Sequence, residues 1–264
     1  MSTPSPQQVL SYLQNPSVSL PALGKVHDQK TGQFMTYDPK RITEKLQVEI
    51  LDYLSNTPRT SDGQTKFLTI LTARQMGKSL TSEYGCYPKA AFNPGWDHVC
   101  IADTGDRAEY LHKRVHHLHE QWPKKARSRT IPSRESRQLT FRQLEGGKMR
   151  ILSAEAGAVG IGQSPDSFHA SECPFWADFA GSMFLIWPSL MNRDNALVIF
   201  EATPWEARSD WHEHCTEAAK GLGRHLYKFF PYWDGKLNSR PWAKTETLTN
   251  EELSLIHISE PTRQ

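Results

Sequence analysis

Thr72-Ala73-Arg74-Gln75-Met76-Gly77-Lys78-Ser79 is the stretch whose reading decides the rest of the chain. The apolar run before it, Phe67-Leu-Thr-Ile-Leu71, has the length and β-branched content of a buried parallel strand. Leu80 to Ala91 reads as a helix. Strand, glycine-bearing turn and helix are the context of a phosphate-binding loop. A helix N-terminus offers unpaired N–H groups and the positive end of its dipole to an anion. In that reading Lys78 reaches the β- and γ-phosphates of ATP, and the Ser79 hydroxyl enters the Mg²⁺ shell. Gly77 removes the Cβ where the backbone closes on the phosphates. Thr72 stands where such loops ordinarily have their first glycine, so an ordinary strand-turn-helix with a surface lysine is the competing reading.

Arg74 lies inside the loop, four residues before Lys78. An arginine there can neutralise charge that develops on the γ-phosphoryl group. The form Arg-Gln-x-Gly-Lys-Ser resembles the deviant Walker A motif of the large terminase subunits of tailed bacteriophages, motors that pump double-stranded DNA into a capsid. The resemblance implies that residues 72–79 bind ATP and that Arg74 takes part in catalysis.

The chain has 264 residues, 38% hydrophobic and 23% charged, which fits one large α/β domain or two small ones. No apolar run has the length of a membrane span, and the N-terminus lacks the basic and apolar regions of a signal peptide. The net charge of +2 says little about partners. Its distribution says more: nine Lys/Arg lie between Lys124 and Arg150, against Glu135 and Glu145. That segment reads either as a phosphate-contacting stretch for DNA or as a solvated face. Cys86, Cys100, Cys173 and Cys215 have no C-x-x-C spacing, which argues against a zinc knuckle and for a reduced, intracellular setting.

Residues 1–40 are rich in Ser, Pro, Gln and Gly and read as a loosely ordered arm with a short helix near Gln8–Leu13. From Arg41 to Leu54, apolar Ile42, Leu46, Ile50 and Leu54 recur at helical spacing. Gln47 lies beside that stripe. By the resemblance it reads the adenine edge; from position alone it is a solvent-facing glutamine. Asp97–Ala102 reads as a second strand, followed by a helix carrying Ala108, Leu111, Val115 and Leu118. His116, His117 and His119 on that helix read as surface or packing residues. Leu139-Thr-Phe-Arg and Lys148-Met-Arg-Ile-Leu152 alternate as a β-hairpin would.

Gly160-Ile-Gly-Gln-Ser-Pro-Asp166 leads into Ser167-Phe-His-Ala-Ser171-Glu172-Cys-Pro-Phe-Trp176. A Walker B strand ends in Asp-Glu: the Asp holds Mg²⁺ through water and the Glu polarises the attacking water. Here the pair is Ser171-Glu172, similar to the Ser-Glu variant of a branch of phage terminases. The resemblance makes Glu172 the water-activating base and leaves Ser171 a neutral, weak metal-shell ligand, with Asp166 available to help. Ile161 stands where many relatives have arginine. Asn195–Phe200 reads as a buried strand running into Glu201-Ala-Thr203-Pro204, and the resemblance, through the order of the motifs, makes Thr203 the candidate coupling residue. His212-Glu-His214-Cys215 has no accompanying ligand cluster and reads as helix packing. Leu226–Trp233 reads as a further strand broken at Pro231.

Taken together, the expectation is an α/β P-loop NTPase of the additional-strand, RecA/helicase-like type, its mainly parallel sheet flanked by helices on both faces. Residues 41–230 form the ATPase domain and 231–252 a linker. Residues 253–264 do not continue the pattern, resemble translated adapter sequence and are set aside as non-native. Large terminases carry a C-terminal nuclease domain with acidic metal ligands; no such cluster occurs here, so no nuclease activity is expected. The resemblance further implies double-stranded DNA, portal protein and small terminase subunit as partners, a homo-oligomeric ring, and the host cell cytoplasm as location. In that ring a neighbouring subunit supplies an arginine, with Arg107 and Arg114 as candidates. Two rivals stay open. One is a helicase-type DNA or RNA translocase, which needs a second RecA-like domain. The other is a non-hydrolysing DNA-binding or docking module, motivated by Thr72 and Ser171.

Overall fold

Runs of five or six apolar, β-branched residues separated by amphipathic helical stretches fold as parallel strands with crossover helices. The computed structural model describes residues 4–27, 33–37, 45–131, 137–141, 147–156 and 164–234. It begins with α1 (Pro6–Gln14), α2 (Pro16–Leu23), the antiparallel pair β1 (Lys25–His27) and β2 (Phe34–Thr36), and α3 (Lys45–Ser55). Then follow β3 (Phe67–Thr72), α4 (Lys78–Phe92), β4 (Asp97–Ala102) and α5 (Gly105–Gln121). Next come β5 (Thr130–Ile131), β6 (Gln138–Phe141), β7 (Lys148–Ser153) and β8 (Ser167–Ser171). The last elements are α6 (Phe179–Met191), β9 (Leu197–Ala202), α7 (Asp210–Ala219) and β10 (His225–Phe230).

Eight strands form one sheet in the order β10-β3-β9-β8-β4-β7-β6-β5. It is parallel from β10 to β7, and β6 and β5 are antiparallel additions at one edge. β9 lies between the loop-bearing β3 and β8, which is the inserted strand of the additional-strand type. The expected hairpin is present as β6–β7, with Leu139 opposite Met149.

Successive residues of a strand point to opposite faces, and both faces here are apolar. Leu68, Ile70, Cys100 and Ile199 face a core shared with α3, α4 and α5. Phe67, Val99, Ile101, Phe168, Val198 and Phe200 face a second core under α6 and α7. The result is a helix–sheet–helix sandwich in which the C-terminal ends of β3, β8 and β9 open on one side. Close packing of α4 on α3 depends on Gly85, where a Cβ would overlap the Leu54 side chain. No described helix is long and apolar enough to cross a membrane.

The N-terminal region departs from the expected loose arm. Ser5 caps α1 in a capping box with Gln8, and Pro6 starts the helix. Asn15 and Pro16 cap and start α2. Leu13 and Leu20 are buried in the core shared with α4, and the Gln14 side chain donates to the Phe92 carbonyl at 2.8 Å. The expected helix start at Arg41, Ile42, Ile161, the linker beyond residue 234 and the tail 253–264 lie outside the described residues.

The basic segment is partly committed to the protein itself. Arg127 donates to the Glu120 carbonyl, Arg137 to the Gly105 carbonyl, and Arg150 and Lys148 pair with Asp97 at 2.6 and 3.4 Å. Lys124, Lys125 and Arg129 are exposed.

Candidate functional site

β3 ends at Thr72, which is fully buried, and the chain turns back through residues 73–77 before α4 begins at Lys78. Gln75 and Gly77 have φ of 61° and 73°. At Gly77 a Cβ would also overlap Gln47 Nε2, so both conformation and space call for glycine. Arg74 and Gln75 are exposed, Ala73 is half-buried and Met76 is buried. Lys78, the first residue of α4, is buried with Nζ 2.9 Å from Glu172 Oε1 and 3.5 Å from Glu201 Oε2. Burial works against its charge, but the two carboxylates outweigh that and hold the ammonium above the ordinary lysine range.

β8 and β9 run parallel with Ser171 directly beside Glu201. Neighbours in register project to the same face, so both side chains reach Ser79. Ser79 Oγ donates to Glu201 Oε1 at 2.6 Å, Ser171 Oγ donates to the same oxygen at 2.7 Å, and the two hydroxyls are 3.2 Å apart. Glu201 is fully buried. Burial pushes its carboxyl up, but Lys78 and His169 prevail and hold it down at about 2. Its Oε2 has no hydrogen-bond partner; Lys78 attracts it by charge alone.

Glu172 follows β8 with φ 54° and ψ 47°, a left-handed conformation that a non-glycine residue adopts at a cost of about 1–2 kcal/mol. Its N–H donates to the Glu201 carbonyl at 2.8 Å, and the Trp176 indole donates to the Ser171 carbonyl at 2.9 Å, which together fix the turn. The turn aims the Glu172 carboxylate into a cavity of about 350 Å³ lined by Arg74, Gln75, Asp103, Arg107, Glu172 and Phe175. Glu172 Oε2 has no hydrogen-bond partner. Arg107 pairs with Asp103 at 3.0 Å and approaches Glu172 Oε1 at 3.7 Å. Burial raises the Asp103 carboxyl, with Arg107 opposing.

Beneath the site runs a buried polar chain. His169 Nδ1 lies 2.8 Å from Glu83 Oε1 and its Nε2 lies 3.4 Å from Glu201 Oε1. His98 joins Glu83 at 3.1 Å and Ser167 at 2.9 Å. Burial alone would push Glu83 up; the two histidines outweigh it and hold the carboxyl well below the ordinary range. Glu83, Cys100 and His169 also bring three ligand atoms within 4.8 Å of one another, the one such metal-compatible group among the described residues.

Lys78 meets Glu172, Ser79 meets Ser171, and Arg74 and Glu172 line the same cavity. Thr203 is buried just beyond the end of β9. Gln47 is not solvent-facing: it is buried, donating to the Met76 carbonyl and accepting from Tyr37, both at 3.4 Å. Asp166 cannot assist Ser171. It lies at the opposite end of β8, where it pairs with Arg193 and accepts from the Asp97 N–H at 2.9 Å. Arg107 lines the cavity of its own chain, and Arg114 sits over the Tyr110 ring. Sequence reading misses Glu201, Asp103 and the buried pair Glu83–His169. The position of Glu201 at the end of the inserted strand is the one available signal.

No family model and no curated protein matches the chain. Its fold is that of large terminase ATPase domains. The Thermus phage P74-26 large terminase ATPase domain superposes with a TM-score of 0.53 at 18% identity, covering 79% of this chain and 87% of that one. The HK97 bacteriophage large terminase gives 0.59 at 18% identity, covering 83% and 43%. The large terminase of a thermophilic bacteriophage, in complex with ATP-gamma-S, gives 0.53 at 14% identity, covering 81% and 48%. The chain thus spans a little under half the length of the HK97 protein and of the one bound to ATP-gamma-S.

Proposed function

We propose that this chain is the ATPase part of a DNA-packaging motor: it hydrolyses ATP, and the energy drives double-stranded DNA into a viral procapsid. The observation that carries this reading is the convergence of Lys78, Ser79 and Glu172 beside a cavity at the C-terminal ends of β3 and β8. The fold shared with terminase ATPase domains, and with a large terminase crystallised with ATP-gamma-S, supports it.

In the proposed mechanism, the loop N–H groups and the start of α4 cradle the phosphates, and Lys78 exchanges its carboxylate partners for the β- and γ-phosphates. Glu172, released from Lys78, accepts a proton from the attacking water at Oε2, which has no hydrogen-bond partner. Arg74, on the rim of the same cavity, neutralises charge developing on the γ-phosphoryl group, with Arg107 of the same chain beside it. Ser79 and Ser171 place two hydroxyl oxygens 3.2 Å apart next to a buried carboxylate, an all-oxygen donor set of the kind Mg²⁺ prefers. Mg²⁺ held there would supply positive charge to the phosphate oxygens. Thr203 transmits the hydrolysis state toward DNA. Gln47 contacts adenine only after its amide leaves the Met76 carbonyl. The wider assembly follows from the same reading: residues 41–230 as the motor domain, 231–252 as its linker, and a homo-oligomeric ring in the host cytoplasm. That ring engages the portal protein, the small terminase subunit and duplex DNA.

The test is Mg²⁺-dependent ATP turnover by the full chain and by Lys78→Ala, each with and without duplex DNA. Turnover that DNA stimulates and Lys78→Ala abolishes is expected. Nucleotide binding without turnover under every condition would favour the docking-module alternative.

A further inference from the structure

We propose that Glu201, presented by β9, is the carboxylate of the Mg²⁺ shell, taking over from the acid that β8 lacks at Ser171. The proposal rests on the ATPase reading above. P-loop sites ordinarily hold their metal between the loop Ser/Thr and an acid at the end of the Walker B strand. Here that position is Ser171, whose hydroxyl carries no charge. The sheet resupplies the charge from next door. Ser171 and Glu201 are in register on adjacent parallel strands, so one extra reach of side chain returns a carboxylate to the same place.

Three observations separate this role from that of Glu172. Glu201 Oε1 receives the Ser79 hydroxyl at 2.6 Å, whereas Glu172 contacts Lys78 and Arg107. Glu201 is fully buried on the floor, whereas Glu172 lines the open cavity. The Ser171 hydroxyl also donates to Glu201 Oε1, at 2.7 Å, and Glu201 Oε2, which has Lys78 at 3.5 Å, needs another cation once that ammonium turns to the phosphates. His169, held in turn by Glu83 at 2.8 Å, lies 3.4 Å from Glu201 Oε1.

The experiment measures Mn²⁺ binding by electron paramagnetic resonance in the presence of ADP, together with ADP affinity in EDTA. It uses the full chain, Glu201→Gln, Glu172→Gln and the double variant Ser171→Asp/Glu201→Gln. The expected result is a loss of about 10–100-fold in Mn²⁺ affinity for Glu201→Gln, on the scale seen when outer metal partners are removed. Metal-free ADP binding should persist in that variant, and Mn²⁺ affinity should fall less in Glu172→Gln than in Glu201→Gln. Recovery in Ser171→Asp/Glu201→Gln, where the acid returns to β8, would exclude a folding defect as the cause. Mn²⁺ affinity in Glu201→Gln equal to the parent's would overturn the proposal while leaving the ATPase reading intact. Failure of the parent chain to bind ADP even in EDTA would overturn both.

Discussion

Ser171 and Glu201 stand side by side on adjacent parallel strands, and the Ser171 hydroxyl donates to Glu201 Oε1 at 2.7 Å. The site thus tolerates one carboxylate at this place, shared between two strands. Ser171→Asp should bring two buried acids into contact and raise the pKa of one of them. The expected outcome is a loss of about 3–5 kcal/mol of stability near neutral pH without metal, of the size found for unpaired buried charge. Adding Glu201→Gln should restore most of it. Urea unfolding of the two variants checks this, and equal stability of Ser171→Asp and the parent would contradict it.

Lys78 is the cation between Glu172 and Glu201, so it has a structural role beside the proposed catalytic one. Replacing it with Met leaves two buried carboxylates facing each other, and breaking such a cluster typically costs about 3–5 kcal/mol. The loss should shrink when Glu201→Gln is added, a coupling that a double-mutant cycle measures. Additive effects would mean the three groups do not form one unit.

Gly77 should resist substitution for two separable reasons. Gly77→Ala forces a left-handed residue, at about 1–2 kcal/mol, and drives the new Cβ into Gln47 Nε2. Gln47→Ala in the same chain should relieve the overlap and leave the backbone strain. Thermal denaturation should therefore show partial rescue. Full rescue would remove the strain argument, and no rescue would remove the steric one.

His214 gives a pH dependence with a defined sign. Burial holds it down at about 3, with His225 adding to the effect, as it stacks on Trp211 among Phe179 and Phe200. The unfolded chain takes up a proton near the ordinary histidine pKa and the native state does not, so stability falls as pH drops below about 6.5. The slope from this one group is up to about 1.4 kcal/mol per pH unit. His214→Phe should narrow the gap in urea midpoint between pH 7 and pH 5. An unchanged gap would show that the acid sensitivity arises elsewhere.

The parts of this site that can be read from the chain are those encoded locally. Residues 67–79 carry strand, turn and helix start in one continuous segment, and Ser171-Glu172 lies at the end of a strand that its own residues define. Glu201 is silent in the sequence because its meaning depends on register. Only when β9 inserts between β3 and β8 does Glu201 fall beside Ser171, and that pairing joins residues thirty positions apart in sequence. His169 and Glu83 are hidden for the same reason: each looks like an ordinary polar residue until β8 and α4 are stacked. The N-terminal helices are a different case. Ser5-Pro6-x-Gln8 and Asn15-Pro16 are local helix-start signals, masked by a composition that otherwise reads as a flexible arm. Analogy offers Arg107 and Arg114 as candidates for a neighbour's site, and the start of α5 places Arg107 at the cavity of its own chain.

In the proposed motor Glu172 activates water while Lys78 and Ser79 hold the nucleotide. Rapid-quench, single-turnover hydrolysis of Mg²⁺-ATP by Glu172→Gln, beside the parent chain and with duplex DNA present, tests this most directly. Glu172→Gln is expected to bind ATP about as tightly as the parent and to leave it uncleaved, slowed by roughly 10²–10⁴-fold as for loss of a general base. Cleavage by Glu172→Gln at the parent's rate would contradict the assignment and move the search for the base elsewhere in the cavity.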